Sequence, residues 1–114
     1  MNLARIPPGK ESFVYHAHWQ EEEWIYILAG RGMARIDDSE YEVGPGDFMA
    51  FPTPGVAHHL RNPFDTELVY LMGGEHRDID VVDFPDQGKR LFRHPKGTEI
   101  VDLAAVRPFG PLEG

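Results

Sequence analysis

The chain has 114 residues, 19 acidic and 11 basic, for a formal charge of -8, and it contains no cysteine. Disulfides and thiolate chemistry are thereby excluded, and nucleic acid and anionic membranes are disfavoured because both need a basic footprint. No apolar run approaches the roughly 20 residues of a membrane helix, and the N-terminus lacks a secretory pattern, so the expectation is a cytoplasmic protein forming one domain over residues 1–114.

Glycine and proline cluster at Pro7-Pro8-Gly9, Gly44-Pro45-Gly46 and Pro52-Thr53-Pro54-Gly55, which punctuates short elements and favours an all-β chain. In chain order, strands are predicted at Asn2–Ile6, at Ser12–His18 and at Glu23–Leu28. The third is almost wholly β-forming, as fits a strand buried on both faces. Ala29-Gly30-Arg31-Gly32 then turns into Met33–Ile36, and Asp37-Asp38-Ser39 turns into Glu40–Val43. Further strands follow at Phe48–Phe51, Ala57–Arg61, Glu67–Met72 and Asp80–Phe84. From Pro85 onward the chain mixes proline, glycine and charge with short apolar pieces such as Ile100–Val106. A core barrel over about residues 2–84 is therefore expected, with an extension over 85–114 that wraps the barrel or a partner subunit. The ending Leu112-Glu113-Gly114 is either native or appended. Strands recurring at short intervals imply a closed or nearly closed structure, because an open sheet leaves adhesive edges; a jelly-roll barrel satisfies this and has room for one site.

Within this pattern His16, His18, Glu23 and His58 form a metal-ligand set. Positions i and i+2 of a strand face the same way, so His16 and His18 point together, and separate strands can bring Glu23 and His58 to them. Three neutral imidazoles and one carboxylate suit one divalent transition metal among Mn, Fe, Co, Ni and Zn. On an octahedral ion two positions stay open for water or substrate, whereas a tetrahedral zinc is closed and structural. His59 should face away from His58 and be structural or on the surface. Asn62 reads as a turn residue, and Gly30, Gly46 and Gly55 as backbone necessities. Glu21, Glu22, His76, Arg77 and His94 read as solvated.

The residues resemble the cupins, whose first motif is roughly G-x5-H-x-H-x3,4-E-x6-G and whose second is roughly G-x5-P-x-G-x2-H-x3-N. Here the first runs His16-Ala17-His18, four residues, Glu23, six residues, Gly30; the second runs Gly46, Pro52, Gly55, His58 and Asn62. Gly9 lies one residue further from the H-x-H than the pattern has it, and Thr53-Pro54 is one residue longer than usual; both differences fall in turns. The stretch from Gly74-Glu75 to Phe84-Pro85-Asp86 is similar to small bacterial cupins of largely unassigned activity. The resemblance implies a double-stranded β-helix (jelly-roll barrel), an open metal site below a cavity, and paired barrels. A homodimer would form by strand exchange through Asn2–Ile6 or by packing through Ile100–Val106.

A metal-dependent enzyme acting on a small polar molecule is the leading expectation; isomerisation of a sugar or sugar phosphate, O2-dependent cleavage and decarboxylation are not distinguished. Tyr26 and Arg35 are the candidate catalytic residues, with Glu22 and His59 as further candidate bases, and Arg31, Arg35 and Arg61 as a phosphate clamp. The alternative is a barrel that captures or senses a small ligand without turnover.

Overall fold

Alternation of apolar and polar side chains sets the layers of this all-β chain. The computed structural model describes residues 1–110; the expectation about Leu112-Glu113-Gly114 lies outside them. The strands are β1 (Asn2–Ile6), β2 (Ala17–His18), β3 (Glu23–Ala29), β4 (Gly32–Ile36), β5 (Ser39–Val43), β6 (Phe48–Phe51), β7 (His58–Arg61), β8 (Leu68–Gly74), β9 (Asp80–Phe84), β10 (Lys89–His94) and β11 (Gly97–Asp102). Single 3-10 turns follow β9 and β11, and no α-helix occurs among the described residues.

Antiparallel pairing orders the strands as β1-β8-β3-β6, β5-β4-β7 and β11-β10-β9-β2. Bridges between Glu11 and Arg61 and between His16 and His58 tie the stretch before β2 to β7, so residues 11–18 join the second sheet to the third. The first two sheets pack face to face through Ile6, Ile25, Ile27, Ala34, Val43, Phe51, Leu60, Leu68 and Tyr70. Each fully buried Leu or Ile there contributes about 1.5–3 kcal/mol of transfer free energy. The Asp37-Asp38 turn carries positive φ at both residues (49° and 65°), a backbone that short polar side chains tolerate and that matches the twist of the hairpin.

Three expectations are corrected. β3 is buried on one face only: Ile25 and Ile27 point into the core, while Tyr26 and Leu28 alternate outward. The stretch Ser12–His18 is not one continuous strand, because it bonds to β7 up to His16 and then crosses to β9. Beyond Pro85 the chain does not wrap the barrel but folds back as the hairpin β10–β11, extending the sheet of β9. Polar side-chain pairs line that hairpin, including the ion pairs of Lys89 with Asp102 (2.6 Å) and of Arg90 with Asp83 of β9 (2.6 Å), and the contact of His94 with Glu99 (2.5 Å). Hydrophobic periodicity therefore carries no signal for it. β1, in turn, pairs with β8 of its own chain.

Candidate metal centre

Three segments deliver the donors. His16 and His18 come from the stretch that crosses from β7 to β9, Glu23 opens β3, and His58 opens β7 directly opposite His16. Their free ends meet: Glu23 Oε1 lies 3.4 Å from His16 Nε2, 3.0 Å from His18 Nε2 and 3.5 Å from His58 Nε2. His16 Nε2 and His18 Nε2 are 3.1 Å apart.

The outer nitrogens decide what these inner ones can be. His16 Nδ1 donates to the Val14 carbonyl at 2.6 Å, His58 Nδ1 donates to the Val56 carbonyl at 2.9 Å, and His18 Nδ1 donates to Asp80 Oδ2 at 2.6 Å. Carbonyls and carboxylates only accept, so in each neutral ring the proton sits on Nδ1 and the Nε2 lone pair faces inward. Glu23 Oε1 and His58 Nε2 are buried with no hydrogen-bond partner. Neighbouring donors on a divalent transition metal bonded at about 2.1 Å are about 3.0–3.4 Å apart; the spacings among His16, His18 and Glu23 fit that range, whereas His58 Nε2, 3.5 Å from Glu23, stands outside the group of donors that lie within 4.8 Å of one another.

Burial pushes the His18 imidazole down, but hydrogen bonds to Glu23 and Asp80, and the charges of both carboxylates, carry it up to about 9. Burial alone would raise Glu23, yet the His16, His18 and His58 imidazoles gathered around it hold its carboxyl far below the usual carboxylate range.

Aromatic rings clamp the imidazoles. Phe51, the cross-strand neighbour of Glu23, stacks on His58 at 3.6 Å and 2°, and Phe13 meets His16 edge-on at 4.9 Å. Two clefts flank the donors, and His18 lines both. One, of about 270 Å³, is mostly polar, with Asn2, Glu21, Glu23, Glu75 and His76. The other, of about 320 Å³, is apolar, with Phe13, Val14, Val82, Phe84 and Leu91, and Arg93 also lines it.

The other expected site residues lie elsewhere. Strand alternation turns Tyr26 to the outer face of β3, away from Glu23. Arg35 pairs across strands with His59, on the side away from His58, and is held by Asp38 and Asp86 over the Tyr15 ring. His59 is buried against Tyr15 and Glu22 is exposed. Arg31 pairs with Glu42 and Arg61 with Glu40, and no arginine of that expected clamp lines either cleft.

Two residues escaped the sequence reading. Glu21 is buried, not solvated; it accepts from Arg93 at 2.5 Å and from the Arg77 N–H at 2.7 Å. Asp80 is fully buried behind His18. Neither has a short-range signature, because their partners are supplied by β10 and by a histidine 62 residues away.

A profile of the cupin domain matches residues 2–74. The chain belongs to the cupin family. Among solved cupin-like structures, one provisionally named a sugar phosphate isomerase, from Acidithiobacillus ferrooxidans, is 42% identical, with a TM-score of 0.92 over 96% of this chain and 70% of that one. A structure from Thermotoga maritima, described as a predicted oxalate decarboxylase, is 28% identical with a TM-score of 0.59, covering 63% of this chain and 61% of that one. Among curated proteins, an uncharacterized protein from Methanocaldococcus jannaschii is 31% identical over 84 residues, 70% of this chain and 66% of that one. Protein SchB from Streptomyces halstedii is 33% identical over 75 residues, 64% of this chain and 53% of that one. This cupin thus spans about half to two thirds of those relatives' length.

Proposed function

We propose that this cupin is a metal-dependent enzyme that interconverts the hydroxyl and carbonyl of a small, uncharged, sugar-like compound. The observation that carries the reading is the convergence of His16, His18 and Glu23, with His58 beside Glu23, at the junction of a polar and an apolar cleft. His16, His18, Glu23 and His58 would hold one divalent ion. When bound, such an ion polarises a carbonyl and so eases removal of the neighbouring C–H proton.

The chain's own side chains supply the rest. Asn2 and the backbone at Gly73-Gly74 offer hydrogen bonds to hydroxyls on the polar side. Phe84, Val82 and Leu91 receive the carbon skeleton and exclude water on the other. His76, on the loop after β8, is the group best suited to take a proton from one carbon and return it to the next, since imidazole works near neutral pH. No oxidant or reductant is needed, because the electrons stay within the substrate. The likeness to the Acidithiobacillus protein supports an isomerase class. The carboxylates of Glu21, Glu23 and Glu75 around the polar cleft argue against a phosphate there.

A second reading, ligand capture without turnover, draws support from the commitment of Glu21 and Glu75 to existing hydrogen bonds, which leaves the polar cleft with few groups able to move a proton. The test is proton NMR in deuterated water, with Mn, Fe, Co, Ni and Zn supplied in turn and a panel of aldoses, ketoses, their phosphates, oxalate and O2-labile enediols. Deuterium should enter the carbon beside the carbonyl of an uncharged member, and Glu23→Ala should abolish it. Binding of panel members without exchange or product, under every metal, would establish the second reading instead.

A further inference from the structure

The family match ends at residue 74, yet one side chain beyond it reaches the metal ligands. Asp80, the first residue of β9, is fully buried and accepts three hydrogen bonds. Its Oδ1 takes the N–H of Gln20 and that of Val81, both at 2.9 Å, and its Oδ2 takes His18 Nδ1–H at 2.6 Å. Glu21 also faces His18 Nδ1, but at 3.7 Å, and it is engaged by Arg93 and the Arg77 N–H. Asp80 therefore accepts the hydrogen bond from His18 Nδ1–H.

We infer that Asp80 is a positioning residue of the metal centre: it keeps the His18 proton on Nδ1, so that Nε2 offers a lone pair to the ion, and it makes the C-terminal sheet part of the site. All three of its partners are donors, and only a carboxylate accepts from all three. Asparagine has one acceptor oxygen. The two backbone N–H groups cannot change and hold that oxygen, so the amide NH2 meets His18 Nδ1. The ring then accepts at Nδ1 and carries its proton on Nε2, where it blocks the metal. Carboxylate partners of ligating histidines typically account for 10–100-fold in metal affinity. This inference rests on the four-residue donor set proposed above but on no assumption about the reaction. The Acidithiobacillus structure covers 96% of this chain and so includes the β9 region that the family profile leaves out.

The experiment is competition of Zn2+ between a chromogenic chelator and the full chain, for wild type, Asp80→Asn, His18→Ala and the double variant. Asp80→Asn is expected to weaken zinc at least tenfold with an unchanged circular dichroism spectrum. In the His18→Ala background the same substitution should cost less than twofold, because its effect passes through that ring. Equal losses in both backgrounds would overturn the inference in favour of a general structural role, as would unchanged affinity in Asp80→Asn. Should Asp80→Asn fail to fold, the zinc-loaded wild type decides: 15N-resolved NMR should find a far-downfield, slowly exchanging proton on His18 Nδ1, and its absence would overturn the inference. If His18→Ala leaves zinc affinity at the wild-type value, the donor set itself is wrong, and that result is distinct from both others.

Discussion

Gly55→Ala probes how closely the loop before β7 is built onto the ligand strand. The Gly55 N–H donates to the His18 carbonyl at 2.7 Å. A Cβ at this position would lie 2.4 Å from His18 O and 3.1 Å from His18 N. Both are main-chain atoms of a proposed ligand residue, so no side chain can swing aside, and the two segments must part by about 1 Å to reach the 3.4 Å of ordinary contact. Overpacking of this kind costs about 1–3 kcal/mol and the weakened hydrogen bond about 0.5–1.5 kcal/mol, so the variant should lose about 2–4 kcal/mol. Urea denaturation of the metal-free protein measures that loss, and zinc competition should report about tenfold weaker binding as His18 is displaced. Gly46→Ala is the comparison: φ is +90° and nothing lies within 4 Å, so it should cost about 1–2 kcal/mol of backbone strain and leave zinc binding unchanged. A Gly55→Ala protein with the wild-type midpoint and wild-type zinc affinity would refute the packing argument.

Three more outcomes are expected. Burial pushes the Asp83 carboxyl up, but hydrogen bonds from Arg90 and Trp19 outweigh it and hold the group below its usual range. The unfolded chain then takes the proton first, so stability from this carboxylate is complete above a pH of about 4 and drains as pH falls further. Urea midpoints between neutral and acid pH should fall more steeply for wild type than for Asp83→Asn; parallel curves would contradict this. Tyr26→Phe and Arg35→Ala should leave zinc affinity unchanged, and a metal defect in either would show that the residue reaches the centre. Adding ion at a hundredfold its dissociation constant should stabilise the chelator-treated protein by about 2.7 kcal/mol, read as a rise in thermal midpoint, and Glu23→Ala should show no such rise.

The all-β class and most strands between Asn2 and Phe84 were legible because they rest on local pattern, and the same pattern put forward His16, His18, Glu23 and His58 as candidates. Alternation places two histidines on one side, and glycine turns mark where strands stop. What escaped depends on partners distant in sequence. Tyr26 looked available because β3 reads as apolar throughout, and only its pairing with β6 and β8 decides which face is inside. Arg31, Arg35 and Arg61 looked like a clamp because nothing in the sequence shows their carboxylate partners. Glu21 sits in an acidic run that reads as solvated until Arg93 arrives from β10. The β10–β11 hairpin is held by polar pairs across strands, which leave no hydrophobic period to read.

The metal content of protein purified without chelator or added metal, determined by elemental analysis for wild type, Glu23→Ala and His58→Ala, bears most directly on the donor set. Near one transition-metal ion per chain is expected in the wild type, falling at least tenfold in His58→Ala while the circular dichroism spectrum stays the same. Equal metal in all three proteins would contradict the assignment of these side chains as the ligands.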